Sequence, residues 1–509
     1  MTEKINTFDN HDKAYYLWKT AGIKEAAVVH VDAHPDLFEP QGTSAPVISD
    51  YLRWALREGI LREVYWVIPK HTWDANTSRR VIQCHLKAIA NTSGGADNWF
   101  KPEKRQGGLS LYGRPVTVCS LESLPEVKPP LLLDIDVDYL LLKDIPLSGL
   151  HRMAERPWIW PSELAPLLSD LAVAAEMVTI SYSISGCFVP LQWKHLGDDL
   201  ALIFASNQPD KALEYVSLKR QMAEALLDGD IELHNKLREA AEKLNPKDAS
   251  LHHWRALALI AEGSIDAARE AQARAVELDL TYKCSCGFGG LIYEAHGEYD
   301  KAEKAYRLAA ELSDGDPLGW YGLGRTAMRK NDKQSARKFL TLAASFPNAP
   351  AEVHRELAAL AESEGDLEEA LRQYRWYLRT AHAGRSLEHP IASVPLHGFR
   401  SPFWSEGYSA MARIYSAKGN TRLFSNCYSE ALKLANPRLY KAARPILRKM
   451  GGAKDVTAGT VLWSLAKSAA VGLGLGIQHI RRRIKLRLSP AGSEAVASRM
   501  CPPVRLPKR

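Results

Sequence analysis

The stretch VVHVDAHPDLF, residues 28–38, sets Asp32, His34 and Asp36 at alternate positions directly after an apolar run. Alternate residues of an extended chain point to one face, so these three side chains converge where the strand leaves its sheet. A core strand has no need of them. The construction recurs in LLLDIDVDYLL, residues 131–141, where Asp134, Asp136 and Asp138 alternate again. Carboxylates crowded in this way repel one another, and burial makes their ionised state costlier still. A pair of divalent metal ions satisfies several of them at once. Mixed carboxylate and imidazole ligation suits manganese, iron or zinc, and the excess of carboxylates favours Mn2+. A lone Asp-x-Asp is common on solvated loops, whereas two such clusters, each flush against an apolar strand, point to a metal site.

Around these motifs the chain up to residue 205 alternates β-type runs, at 26–31, 64–68, 115–121, 131–137 and 177–184, with amphipathic segments such as 47–59 and 78–90. That alternation predicts an α/β domain over residues 1–205, a mostly parallel sheet with helices on both faces. In such sheets ligands sit at the carboxyl ends of the strands, where VDAHPD and LDIDVD lie.

From 212 to 437 the period becomes helical throughout. Gly229, Gly263, Gly297, Asn331 and Gly365 follow at intervals of 34, and Ala268, Ala302, Ala336 and Ala370 keep the same interval. A 34-residue helix-turn-helix unit with a turn residue and a small contact residue at fixed places resembles the tetratricopeptide repeat. The spacing predicts an all-α solenoid of five or six repeats with an insertion near 385–402. Tyr306, Trp320, Tyr321 and Tyr374 are expected to pack between units. Concave solenoids of this type hold extended peptides, so a peptide or protein partner is expected there.

The 509 residues carry a net charge of +7, but residues 438–509 hold 16 Lys and Arg against Asp455 and Glu494. The tail is thus +14 and the rest of the chain −7. The body gives no reason to propose nucleic-acid binding. The tail, with VTAGTVLWSLAKSAAVGLGLGIQ followed by HIRRRIKLRL, reads as a capping helix with a solvated end or as a basic segment able to associate weakly with anionic membrane. The chain opens without a basic region followed by an apolar one, so a cytoplasmic location is expected. Seven scattered cysteines fit reduced thiols, and Cys284 and Cys286 lack a second ligand pair at zinc-site spacing.

VDAHPD resembles the signature of the ureohydrolases, the arginase and agmatinase superfamily, and LDIDVD resembles their second carboxylate strand. In order, FDNHDKAYYLW, VVHVDAHPDLF, YLRWALREGILREVYWVIP and LLLDIDVDYL are similar to the small ureohydrolase-like family that includes peptide arginases, over roughly residues 8–190. The resemblance implies an arginase-like fold and two metal ions, with His11 and Asp36 on the first, His34 and Asp138 on the second, and Asp32 and Asp136 bridging both. Asp134 is left over; a register shifted by two would make Asp134 and Asp136 the ligands instead, and the family pattern favours Asp136 and Asp138. Asp36 and His34 are the implied catalytic residues, Asp36 as the group that takes and returns a proton. His30 is expected to be a packed core histidine facing away from Asp32. Asp9 is expected either to orient His11 or to start a helix in solvent.

The implied reaction is hydrolysis of an arginine guanidinium to ornithine and urea, on an arginine presented by a peptide. A guanidinium needs an acidic or carbonyl partner. Ser183, Gly186 and Pro190 fall at suggestive places in TISYSISGCFVP, and Glu176, just before that strand, is the candidate acid. Two other readings stand beside this one: a deacetylase-like or other amidohydrolase using a single zinc or iron, and a repeat scaffold whose N-terminal domain no longer catalyses.

Overall fold

Apolar runs bounded by polar turns become strands because their side chains can be buried on both faces of a sheet covered by helices. The computed structural model describes residues 4–39, 45–91, 98–144, 152–184, 188–283, 288–313, 315–382, 405–435, 440, 441, 443–445 and 447. Its strands in chain order are β1 (Ile5–Phe8), β2 (Ala26–Val31), β3 (Leu61–Val67), β4 (Asn98–Lys101), β5 (Gln106–Leu111), β6 (Arg114–Cys119), β7 (Leu131–Asp136), β8 (Leu142–Asp144), β9 (Arg152–Met153) and β10 (Met177–Ser181). Eight of them form one sheet in the order β1-β10-β7-β2-β3-β6-β5-β4, and β8 and β9 make a separate ribbon. The pairs from β1 through β6 are parallel, and β5 and β4 extend that edge in antiparallel fashion.

All five strands expected from sequence are present. β2, β7 and β10 are buried at every position. The chain leaves β2 for β3 on one side, and β7 later returns to the other side of β2. That reversal opens a crevice outside the carboxyl ends of β2 and β7, where open α/β sheets bind their ligands. Helices at Tyr51–Arg57 and Asn76–Asn91 occupy the two amphipathic stretches.

Two compact units divide the chain, Met1–Phe339 and Leu340–Arg509. In the first, one apolar core runs from Val29, Leu133 and Ile180 of the sheet through Leu196 and Leu200 to Val216, Met222, Trp254 and Leu312 of the repeats. The helical period begins near residue 209, but the first repeats and the sheet share a core across that point. In the second unit, helices Ala351–Glu364 with Leu367–His382 and Ser405–Ala417 with Thr421–Ala435 pack around Tyr374, Tyr377, Met411 and Phe424.

The 34-residue period has a backbone cause. Gly229, Gly263, Gly297, Asn331 and Gly365 all have a left-handed backbone, with φ of 82°, 81°, 75°, 61° and 81°. Each ends the first helix of a pair, and only glycine, with asparagine as the tolerated substitute, takes that conformation cheaply. The next residue caps the second helix at several turns: Asp230, Asp332 and Asp366 accept from the backbone N–H groups of Leu233, Ser335 and Glu369. Ala268, Ala302, Ala336 and Ala370 are fully buried. Tyr321 and Tyr374 are buried in the core, and Trp320 stacks on Phe339. Tyr306 fills the space that Gly290 and Gly322 leave open; a Cβ on either would fall 2.5 and 2.2 Å from its ring.

The expected insertion at 385–402, the Cys284–Cys286 pair, Gly186 and nearly all of the basic tail lie outside the described residues. Among the described residues Cys84, Cys119 and Cys427 are free thiols, and no helix is long and apolar enough to cross a membrane.

Candidate metal centre

His11 enters from the residue before helix Asp12–Thr20, Asp32, His34 and Asp36 from the carboxyl end of β2, and Asp136 and Asp138 from that of β7. Five of the six are buried, and His34 keeps 19% of its side chain exposed. His11 Nδ1 lies 3.2 Å from Asp32 Oδ2 and 3.4 Å from Asp36 Oδ2, and its Nε2 contacts Asp136 Oδ2. His34 Nδ1 lies 2.9 Å from Asp138 Oδ2 and 3.6 Å from Asp32 Oδ1. The donor atoms fall into three groups, each within 4.8 Å: His11, Asp32 and Asp136; His30, Asp32 and Asp36; and Asp32, His34 and Asp138. Asp32 belongs to all three.

The backbone around the cluster is tied down. Trp66 Nε1 donates to the Asp32 carbonyl at 3.0 Å, and Asp32 Oδ1 accepts from the His34 N–H at 2.6 Å. Asp138 Oδ1 accepts from the Ala33 N–H at 3.1 Å, and Asp136 Oδ1 from the Asp138 N–H at 2.8 Å, so the two motifs hold each other. Buried Arg53 reaches the loop after β2, pairing with Glu39 and donating to the Leu37 carbonyl. Asp36 sits in the left-handed region at φ 45°, a strain that a non-glycine residue keeps where its side chain has work to do.

Sequence reasoning singled out Ser183 and Asp9 without these contacts and missed Ser181. Ser181 and Ser183 donate to Asp136 Oδ2 at 3.1 and 2.6 Å, and Ser183 Oγ lies 2.9 Å from His11 Nε2. Asp9 accepts from the Ile184 N–H at 2.8 Å, so it pins the turn that carries Ser183. Asp134 turns to His30 rather than to the six: its Oδ2 lies 2.9 Å from His30 Nδ1 and accepts from Tyr51 at 2.5 Å, and its Oδ1 accepts from Thr179 at 2.5 Å.

Two expectations need correction. His30 is buried, but its Nε2 faces the cluster, 3.3 Å from Asp32 Oδ2 and 4.0 Å from Asp36 Oδ2. Two residues apart on a strand is a full pleat repeat, so His30 shares the face of Asp32. Glu176 is exposed and precedes β10, at the end of the strand remote from Ser181, so it cannot meet a guanidinium at the centre.

The electrostatics describe a site short of positive charge. Burial depresses the His11 imidazole, but Asp136, Asp32, Asp36 and Asp134 outweigh it and raise it to about 10. His30 is raised to about 9 and His34 well above its ordinary value, again against burial, by the carboxylates around them. Burial and the Asp32 carboxylate lift Asp36 to about 7, and burial and Asp138 lift Asp136 well above the usual range. Protons collect where cations belong. Asp32 Oδ2 is fully buried and accepts no hydrogen bond, an orphan that a divalent cation would satisfy. Carboxylates and imidazoles, with no thiolate, are the donor set of a hard or borderline ion such as Mn2+.

The chain joins an α/β domain with a metal-competent cluster to a solenoid of tetratricopeptide type. The model of the tetratricopeptide repeat family matches residues 288–316. No curated protein matches the chain. Among solved structures, pilF of Pseudomonas aeruginosa is 15% identical, covering 44% of this chain and 92% of its own, with a TM-score of 0.25. YrrB, described as a TPR protein with an unusual peptide-binding site, is 18% identical over 41% of this chain and 97% of its own, with a TM-score of 0.25. The Cut9–Hcn1 tetramer of the APC/C is 15% identical over 58% of this chain and 56% of its own, with a TM-score of 0.28.

Proposed function

We propose that the N-terminal domain is a metal-dependent hydrolase of the arginase type, loaded with two divalent ions, most favourably Mn2+, and acting on arginine side chains in a peptide or protein. The observation that carries this reading is the single buried cluster of His11, Asp32, His34, Asp36, Asp136 and Asp138 at the carboxyl ends of β2 and β7, with Asp32 common to every ligand group.

When bound, two divalent ions would lower the pKa of a shared water and make it nucleophilic near neutral pH. The chain's own groups do the rest. Asp32 belongs to every ligand group and Asp136 to that of His11, and Ser181 and Ser183 fix Asp136 by donating to its Oδ2. Asp36 Oδ2 takes the proton lost by the attacking water and returns it to the departing amine. His34 keeps 19% of its side chain exposed, and its ring is edge-on to Phe188 at 5.4 Å.

The first unit also holds a cavity of about 600 Å³ lined by Leu226, Leu257, Tyr293, Lys301 and Lys304 of the repeats together with Pro190; it includes none of the cluster residues, so the peptide preference rests on the repeats alone. Tetratricopeptide arrays bind peptides and proteins, so recruitment by the repeats suits that preference.

Manganese-loaded protein incubated with arginine-containing peptides should release urea and leave ornithine, and Asp32→Ala and Asp136→Ala should abolish both. Urea release that persists in either variant overturns the reading. The repeat match by itself favours a second reading, a scaffold without catalysis; a wild type that binds peptide and no divalent ion would select it.

A further inference from the structure

We propose that His30 is a further ligand of this centre, oriented by Asp134, giving the cluster a third imidazole nitrogen. The inference rests on the metal reading above and goes beyond the six ligands expected from the sequence.

Three observations carry it. The His30 ring is fully buried, and its Nε2 lies 3.3 Å from Asp32 Oδ2 and 4.0 Å from Asp36 Oδ2. Donors bonded at about 2.1 Å to one ion stand about 3 Å apart in adjacent positions and about 4 Å apart in opposite ones. Asp32 Oδ2, the nearest of these oxygens, is buried and receives no hydrogen bond. Finally, an ionised carboxylate only accepts, so Asp134 Oδ2, 2.9 Å from His30 Nδ1, holds the proton on that nitrogen and turns the Nε2 lone pair toward the cluster. This is the histidine–carboxylate arrangement that orients metal-bound imidazoles.

Asp134 is itself fixed from two further elements. Thr179 on β10 donates to its Oδ1 and Tyr51 to its Oδ2. These donors satisfy the buried carboxylate and hold it against His30. The competing role for Nε2 is donation to the His34 carbonyl, 3.2 Å away, which would make His30 a brace of the loop and leave two imidazoles on the metals.

The deciding experiment is pulsed EPR of the full chain loaded with Mn2+, with histidine labelled by 15N, beside metal analysis and Mn2+ titration. Three distinct histidine nitrogens coupled to manganese support the proposal, and two overturn it. Because this readout uses the wild type, it stands even where variants fold poorly. In titration His30→Gln should lose one ion or bind it at least tenfold more weakly, and Asp134→Asn should weaken binding about 10- to 100-fold. A His30→Gln variant that holds two ions with unchanged affinity overturns the role of His30 and leaves the metal reading intact. A wild type that takes up no divalent ion overturns both.

Discussion

Lys219 links the helix ending the α/β domain to the repeats, and replacing it with methionine is expected to be among the most damaging changes outside the metal centre. Its Nζ lies 2.6 Å from Asp199 Oδ1 and 2.8 Å from Asp248 Oδ2, with 1% of the side chain exposed. Asp199 belongs to helix His195–Ala205, and Asp248 caps helix Ala249–Ala261. Methionine fills similar volume but leaves two buried carboxylates facing each other at about 5 Å. At an effective dielectric of about 20 they repel by about 3 kcal/mol, in line with the ~3–5 kcal/mol cost of breaking a buried pair. For a unit of this size the fall in Tm should be roughly 4–7 °C, read by circular dichroism. The pH dependence fixes the cause. Burial works against the Lys219 charge, but Asp199 and Asp248 outweigh it and hold the lysine protonated above its ordinary range. Burial likewise disfavours the Asp248 charge, but Lys219 overrides it and holds the carboxyl below its ordinary range. The network therefore contributes fully between about pH 4 and 10, and the contribution falls away gradually above that range, toward the raised titration of Lys219, and below it, toward the lowered titration of Asp248. In Lys219→Met the stranded carboxylates take up a proton more readily, so its deficit should shrink as pH falls from 7 to 5. Adding Asp199→Asn should recover about half of the loss. A deficit below about 1 kcal/mol, or one that does not change with pH, would refute this reasoning.

In the metal-free protein His11 is raised to about 10 and Asp36 to about 7, so the folded state holds extra protons from about pH 4 to 10. Its thermal stability should fall as pH rises from 5 to 8, and Mn2+ should restore more stability at pH 8 than at pH 6, as differential scanning calorimetry reads. Titration with Mn2+ at pH 7 should release protons, visible as a dependence of the binding heat on buffer ionisation enthalpy. Gly322→Ala drives a methyl into the Tyr306 ring and should cost about 1–3 kcal/mol in urea unfolding, relieved when Tyr306 is also made alanine. Asn331→Gly should be neutral or stabilising because φ is 61° there, and Asn331→Val should destabilise by about 1–2 kcal/mol.

Much of the fold was legible because the physics behind it is local. Parallel strands buried on both faces read as unbroken apolar runs, and AAVVHV and LLLDID did so. The repeats announced themselves through a left-handed turn that recurs every 34 residues. β1 was missed because INTF is short and half polar, and β5 because Gly107 and Gly108 weaken the strand signal. Those glycines are there for contact: a Cβ on Gly107 would strike Phe100, and one on Gly108 the Val116 carbonyl.

At the metal centre, the ligands carried over from the resemblance converge in space, because each lies at or just beyond a strand end or helix start. The supports of Asp134 and Asp136 were not legible. Thr179, Ser181 and Ser183 lie 45 or more residues away in sequence, and only the pairing of β10 with β7 brings them in. His30 was readable from the pleat alone, since residues 30, 32, 34 and 36 keep one parity, and the expectation that it faces away from Asp32 misapplied that alternation.

The most direct measurement is mass spectrometry, with urea assay, of arginine-containing peptides incubated with protein shown by metal analysis to hold two Mn2+ per chain. The account predicts ornithine in place of arginine, one urea per residue converted, and no conversion by Asp136→Ala. Peptides left unchanged by protein carrying both ions would contradict it.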